Sequence, residues 1–216
     1  AFDSLNFEKV YVGNGLENHL VDSLVATVLA AKTNSPIVLA KNELSEATEE
    51  FLVETVPAEG NIVALGGKTL VKDTVLSLNY VRPVAFQVAQ NLELGLNGYE
   101  VQFALKDPEA EVASMEVALV KGNAVLATNK ATAEENADLF ADLTESVSTY
   151  FNIAEPFAGD ENWTYGEFDG TANDVPSKAV ITVVFGEGTE YTVSTSTLDG
   201  DVTKLGAPTV TSTLPA

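Results

Sequence analysis

Between Val10 and Leu78 short apolar runs alternate with amphipathic stretches, and after Pro83 the pattern changes to a period of two. The runs VYVGNG, PIVLA and NIVALGG are nearly continuous in Val, Ile, Leu and Ala, as strands buried on both faces of a parallel sheet are. They predict strands over 7–13, 36–40 and 61–65. Between the first two, Leu20, Val21, Leu24, Val25, Val28 and Leu29 recur along one side of a helix that Asn34 and Pro36 stop, as on a helix packed against a sheet. Between the last two, Ser45 caps a helix with Ala47, Phe51 and Leu52 inward and Glu46, Glu49 and Glu50 outward. A last short helix carries Val71, Val75 and Leu78. Two consecutive βαβ crossovers place the strands in one small Rossmann-like or flavodoxin-like parallel sheet. A sheet of three strands needs something to lean on: preceding sequence, another copy or the second domain, with the first two favoured.

Beyond Pro83, Tyr99, Val101, Phe103 and Leu105 alternate with polar positions. So do Val117, Leu119, Val125 and Ala127 around the turn at Lys121-Gly122-Asn123, and Val180, Thr182 and Val184. AVITVVF and TEYTVSTST, separated by Gly186-Glu187-Gly188, give the strongest hairpin signal. Such spacing predicts an antiparallel, Ig-like β-sandwich of about a hundred residues, with Trp163 as a core or sheet-covering aromatic. Residues 131–150 read either as an acidic helix or as a long connection onto which Leu139 and Phe140 dock. The expected organisation is α/β followed by all-β: an α/β domain over 1–82, a sandwich over 83–200, and a Thr/Pro-rich tail or linker over 201–216.

Charge and composition narrow the function. Eleven Lys+Arg against 32 Asp+Glu give a formal net charge of −21, which repels nucleic acid and anionic membrane surfaces. Cysteine is absent, so disulfides, thiolate metal sites and cysteine nucleophiles are excluded. No apolar run approaches the roughly 18 residues that cross a bilayer. A chain beginning at Ala1 without an initiator Met reads as a processed form or a fragment.

Gly13-Asn14-Gly15, between a strand and a helix, invites comparison with a dinucleotide loop, but Asn18 stands where the third glycine belongs, so a tight turn is the simpler reading. His19 is the sole histidine, and no Ser occupies a G-x-S-x-G elbow. With one Trp and no singled-out carboxylate pair, glycosidase chemistry is disfavoured and no catalytic residues are assigned. Asp160 and Glu161, and separately Asp199 and Asp201, offer oxygen ligands that would suit calcium, with solvated turns as the alternative. Asn162-Trp163-Thr164 is a formal glycosylation sequon.

The first block resembles the type-2 cell-wall-binding repeat of S-layer and other bacterial surface proteins. The resemblance rests on VYVGNG, the helix with Leu20-Val21-Asp22-Ser23-Leu24, AAKTNSPIVLA, the acidic helix after Leu44, and NIVALGG leading into VKDTVL, and it spans roughly residues 9–80. The family's leading helix with its Arg-x-x-Gly-x-x-Arg-Tyr-like element has no counterpart before Phe7, and a second copy of the repeat is not found in the sequence. GNAVLAT, WTYGEF and PSKAVITV are similar to Ig-like modules of such proteins. The resemblance implies a Rossmann-like repeat that assembles in threes and binds an anionic secondary cell-wall polymer; the residues themselves, with no catalytic set singled out, lead to the expectation that the protein is not an enzyme. Asp22 sits at the family's characteristic aspartate, with a helix-dipole or structural role as the simpler reading. Lys32, Lys41, Lys68 and Lys72 are the cations that could form a basic patch for the polymer; otherwise divalent cations would bridge two polyanions. The expected place is the secreted, wall or S-layer surface of a Gram-positive-type bacterium. The expected partner is wall polysaccharide or neighbouring copies of the chain. Two other readings remain: a self-assembling subunit of an S-layer, filament or sheath, and, third, a nucleotide-using enzyme.

Overall fold

A computed structural model describes residues 5–16, 20–41, 44–57, 60–67, 71–91, 96–107, 110–141, 143, 146–153, 165–168 and 174–205. Trp163 and residues 206–216 lie outside them. The chain is strand-rich α+β, with one three-stranded parallel sheet and two four-stranded sheets whose pairings are antiparallel except for one.

In the first sheet β1 (Lys9–Asn14) lies between β2 (Ile37–Ala40) and β3 (Asn61–Leu65), both parallel to it, with Tyr11 opposite Ile37 on one side and Val63 on the other. The predicted first helix is two: α1 (Leu20–Val25) and α2 (Thr27–Thr33). At the break Thr27 Oγ1 donates to Leu24 O (2.6 Å), the kind of local side-chain bond that competes with the helix ladder. Asn34, at φ 53° in the left-handed region, ends α2.

The expected buried stripe faces the wrong way. Val21, Leu24, Val25 and Val28 are each more than 60% exposed, and Leu20 and Leu29 are exposed as well, whereas Ser23, Ala26 and Ala30 are buried. Close approach explains the inversion: a Cβ at Gly13 of β1 would lie 2.1 Å from Ser23 Oγ. Helix and strand come so near that only small side chains fit between them, which leaves the larger apolar residues outward.

Helix α3 (Glu46–Thr55) begins as predicted, with the Ser45 side chain accepting from Thr48 N. Leu52 is buried, but Ala47 and Phe51 are exposed, Phe51 lying edge-on to Phe7 at 5.9 Å. The last predicted helix is a 3-10 helix, Asp73–Asn79, with Val75 and Leu78 in the core.

The remaining strands are β4 (Val81–Asn91), β5 (Leu96–Leu105), β6 (Val112–Lys121), β7 (Ala124–Thr132), β8 (Val147–Asn152), β9 (Tyr165–Glu167), β10 (Lys178–Phe185) and β11 (Glu190–Thr195). One sheet has the order β4-β5-β8-β9 and the other β11-β10-β6-β7. The hairpin β10–β11 forms as its sequence predicts, turning through Gly188 at φ 86°. Tyr99, Val101, Phe103, Leu105, Val117 and Leu119 point inward as expected. In β10 the inward set is Ala179, Ile181, Val183 and Phe185, so Val180, Thr182 and Val184 lie on the other face. In β7 Val125 is exposed while Leu126 and Ala127 are buried, because a bulge opposite Leu119 and Val120 shifts the register. Between β7 and β8 the ambiguous segment contains only the five-residue α4 (Ala137–Ala141), with Leu139 and Phe140 against the core. Both flanks of the two sheets are stitched together, Gln87 to Asp199 and Ala127 to Phe168, which covers sheet edges otherwise open to foreign strands.

Of the three possible neighbours, the narrow sheet leans on the β-rich part of its own chain. Buried residues of both parts form one continuous core, from Val10 and Leu52 through Leu78 to Ile181 and Tyr191. Tyr80 stacks on Tyr191 at 3.9 Å, and Ser77 Oγ accepts from Thr192 N. The Asn79 side chain bonds both the N–H and the C=O of Ile62, occupying the free edge of β3 as a neighbouring strand would.

Glu49 and Glu50, expected to point outward, face β11 instead. Glu49 accepts from Ser194 N (2.6 Å) and from Ser194 Oγ, and Glu50 from Ser196 Oγ. Burial pushes the Glu49 carboxyl above its ordinary range, against the Ser194 bonds and Lys178, which lower it, and with Glu46, which raises it. A raised native pKa gives stability that is complete below the ordinary carboxylate range and is lost as pH rises through the native value. Relative to Glu49→Gln, the wild type is therefore expected to gain stability as pH falls from 7 to 4 in urea titrations. A difference that moves in the opposite direction would contradict this account of Glu49.

Candidate functional site

At the N-terminal ends of the parallel strands lies a polar groove of about 590 Å³, lined by Asn6, Glu8, Lys9, Thr33, Ser35, Pro57 and Asn61. Its walls come from three segments tied by backbone bonds: Asn6 N to Asn34 O (2.7 Å) and Asn61 N to Glu8 O (2.9 Å). Asn6 Nδ2 donates to the Glu8 carboxylate, whose backbone N–H donates back to Asn6 Oδ1, so the first wall is braced locally. The Thr33 hydroxyl donates to Leu29 O and Ala30 O, and that of Ser35 to Thr33 O. Their oxygen lone pairs remain as acceptors.

The turn that supplies Pro57 is gripped from behind by two cations. Arg82 donates to Val56 O, Pro57 O and Gly60 O at 3.1–3.3 Å, and Lys106 Nζ donates to Gly60 O at 2.6 Å. Val56 is the C-cap of α3, where a cation meets the negative end of the helix dipole. Arg82 is only 8% exposed, its partners among the described residues are carbonyls, and its Nε has none. Burial lowers its pKa, but a guanidinium keeps its proton in proteins.

The residues singled out from sequence are dispersed. Lys32 ends α2 on the side of the groove, whereas Lys41 follows the opposite, C-terminal end of β2. Lys72 is exposed at the start of the 3-10 helix. Asp22 lies in α1 by its backbone; its side chain, together with Lys68, Asp160, Glu161 and His19, falls outside the described part. Asp201 accepts from Thr203 N and Oγ1 and lies 3.5 Å from Lys204 Nζ; the Thr203 bonds hold its carboxyl below the usual range. Asp199 is joined through its backbone to β4. Among the described residues no three acidic or histidine side chains gather as metal ligands would. At the Gly13-Asn14-Gly15 turn, Gly15 N donates to Ala40 O and Leu16 N to Asn14 Oδ1, so neither amide is available to a phosphate.

The sequence reading missed the groove, since its residues are mostly ordinary polar types scattered from Asn6 to Asn61. The pairing of β1 with β3 brings them together. No helix among the described residues is long and apolar enough to cross a membrane.

No curated protein and no solved structure matches the chain. A family model does: residues 4–76 match cell wall binding domain 2 (CWB2), over the segment that holds the parallel sheet, its helices and the groove. Over its N-terminal third the chain is thus similar to the type-2 cell-wall-binding repeat.

Proposed function

We propose that the chain is a non-enzymatic extracellular surface protein, or part of one, that attaches to an anionic cell-wall polymer through its N-terminal repeat. The match over residues 4–76 carries this reading. The repeat is a Rossmann-like domain over 1–82, and the part from 83 to 200 is an Ig-like module. The order β11-β10-β6-β7 supports the Ig-like reading, since a G-F-C sheet extended by C′ has that sequence of strands; the parallel β8–β9 pair departs from it. The protein belongs at the wall or S-layer surface of a Gram-positive-type bacterium. Attachment runs either through the repeat's lysines or through divalent cations that bridge the acidic chain to an acidic polymer. Sedimentation with purified walls, with and without chelator, is expected to carry the full chain into the pellet; no binding in either condition contradicts attachment.

The outward stripe of α1 and α2 favours a second reading, self-assembly. Val21, Leu24, Val25, Val28 and Leu29, with Leu39 on the open edge strand β2, form an apolar face of the kind that marks an interface. Another repeat or another copy seated there would suit the family's habit of assembling in threes. Light scattering decides between the readings: a monodisperse monomer that binds walls rules out self-assembly.

A further inference from the structure

Resting on the wall-binding reading, we propose that the groove at the N-terminal ends of β1 and β3 is a saccharide subsite. It takes one or two sugar units of an acidic glycan, with the acid group set against Lys9. The lining has the composition a sugar needs. Carboxylate, amide and hydroxyl oxygens of Glu8, Asn61, Ser35 and Thr33 accept from ring hydroxyls, the Asn61 amide also donates, and the Pro57 ring offers an apolar contact to C–H faces. At about 590 Å³ the groove falls within the range of about 300–1,000 Å³ usual for small-ligand sites.

The preference for an acidic sugar comes from the charges around it. The chain carries −21 overall, yet three of its eleven Lys+Arg residues bear on this one place: Lys9 in the lining, and Arg82 and Lys106 on the turn that supplies Pro57. Among the described lining residues Glu8 is the one acid. The buried Arg82 guanidinium donates to the carbonyl oxygens of Val56, Pro57 and Gly60, which places a positive charge beneath the turn. The walls are tied by backbone hydrogen bonds, so the site is held open before any sugar arrives.

Binding of the full chain is measured on purified Gram-positive walls and on the same walls after mild acid extraction of their accessory polysaccharide. Lys9→Gln and Asn61→Asp are each expected to weaken binding to intact walls about tenfold, the first by losing a charged contact and the second by setting a negative charge against the acid group. Lys130→Gln, on the distant strand β7, should leave it unchanged, and melting temperatures of all three should match the wild type. If Lys9→Gln and Asn61→Asp bind like the wild type, the groove assignment falls while wall attachment stands. Equal wild-type binding to extracted and intact walls overturns the acidic-saccharide assignment. Wild type that binds neither wall overturns attachment and the groove together.

Discussion

Gly98→Ala is expected to destabilise the protein by about 4 kcal/mol, in the exceptional range for a single substitution. A Cβ at Gly98 would lie 1.7 Å from Phe151 O and 2.8 Å from Phe151 C. No side-chain rotation relieves a clash with backbone, so β5 and β8 would have to part where Gly98 pairs with Asn152 and Tyr99 with Phe151. Tyr99 and Phe151 are both fully buried, Tyr99 beside Phe86 and Phe168, so separation there opens the centre of the core. Among the described residues the buried Tyr99 hydroxyl has no partner, and burial pushes its pKa up to about 12. Urea denaturation followed by far-UV circular dichroism would read the loss as a lowered midpoint. A midpoint within the error of the wild type would show that the β5–β8 approach is looser than described.

Arg82→Ala is expected to cost about 3 kcal/mol, the scale of losing three charge-assisted hydrogen bonds and leaving one buried acceptor unpaired. Of the three carbonyls, Pro57 O keeps Gly60 N and Gly60 O keeps Lys106, whereas Val56 O has no other partner among the described residues. The side chain also ties β4 to the turn after α3, so its loss loosens the seam between the parallel sheet and the β-rich part. Arg82→Lys should recover only part of the loss, because an ammonium cannot reach three carbonyls with a planar fork. Hydrogen exchange resolved along the chain is expected to show faster exchange in 53–62 for Arg82→Ala. Unchanged exchange there, with stability equal to the wild type, would remove Arg82 from the seam.

Much of the N-terminal third was legible because its periodicity is local. VYVGNG, PIVLA and NIVALGG appear as β1, β2 and β3 within two residues, and Ser45 caps α3 as read, since capping depends on neighbours three residues away. The family resemblance drawn from those segments agrees with the match over 4–76. In the β-rich part, Tyr99 to Leu105 and the β10–β11 hairpin were equally plain.

Local periodicity says that a stripe exists and leaves open what it faces. Leu20 through Leu29 form a real stripe, but the contact of Gly13 with Ser23 selects the small-residue side for the sheet and turns the stripe outward. The inward face of β10 was misread because apolar side chains stand on both faces of AVITVVF, and pairing with β6 and β11 decides between them. Glu49 and Glu50 pointed to solvent in the helix pattern; only the docking of β11 reveals that they join the two parts of the chain.

By itself the sequence determined the three strands of the first third, the β10–β11 hairpin, the absence of thiol and paired-histidine chemistry, the strong negative charge and the resemblance of the first third to a wall-binding repeat. All of these follow from residue types and short-range spacing. Tertiary structure alone decided that the narrow sheet packs on the β-rich part of its own chain, that Arg82 and Lys106 converge on Gly60, and that Asn6, Lys9, Thr33 and Asn61 share a groove. Each of these joins residues many positions apart, and strand pairing and backbone approach set such distances.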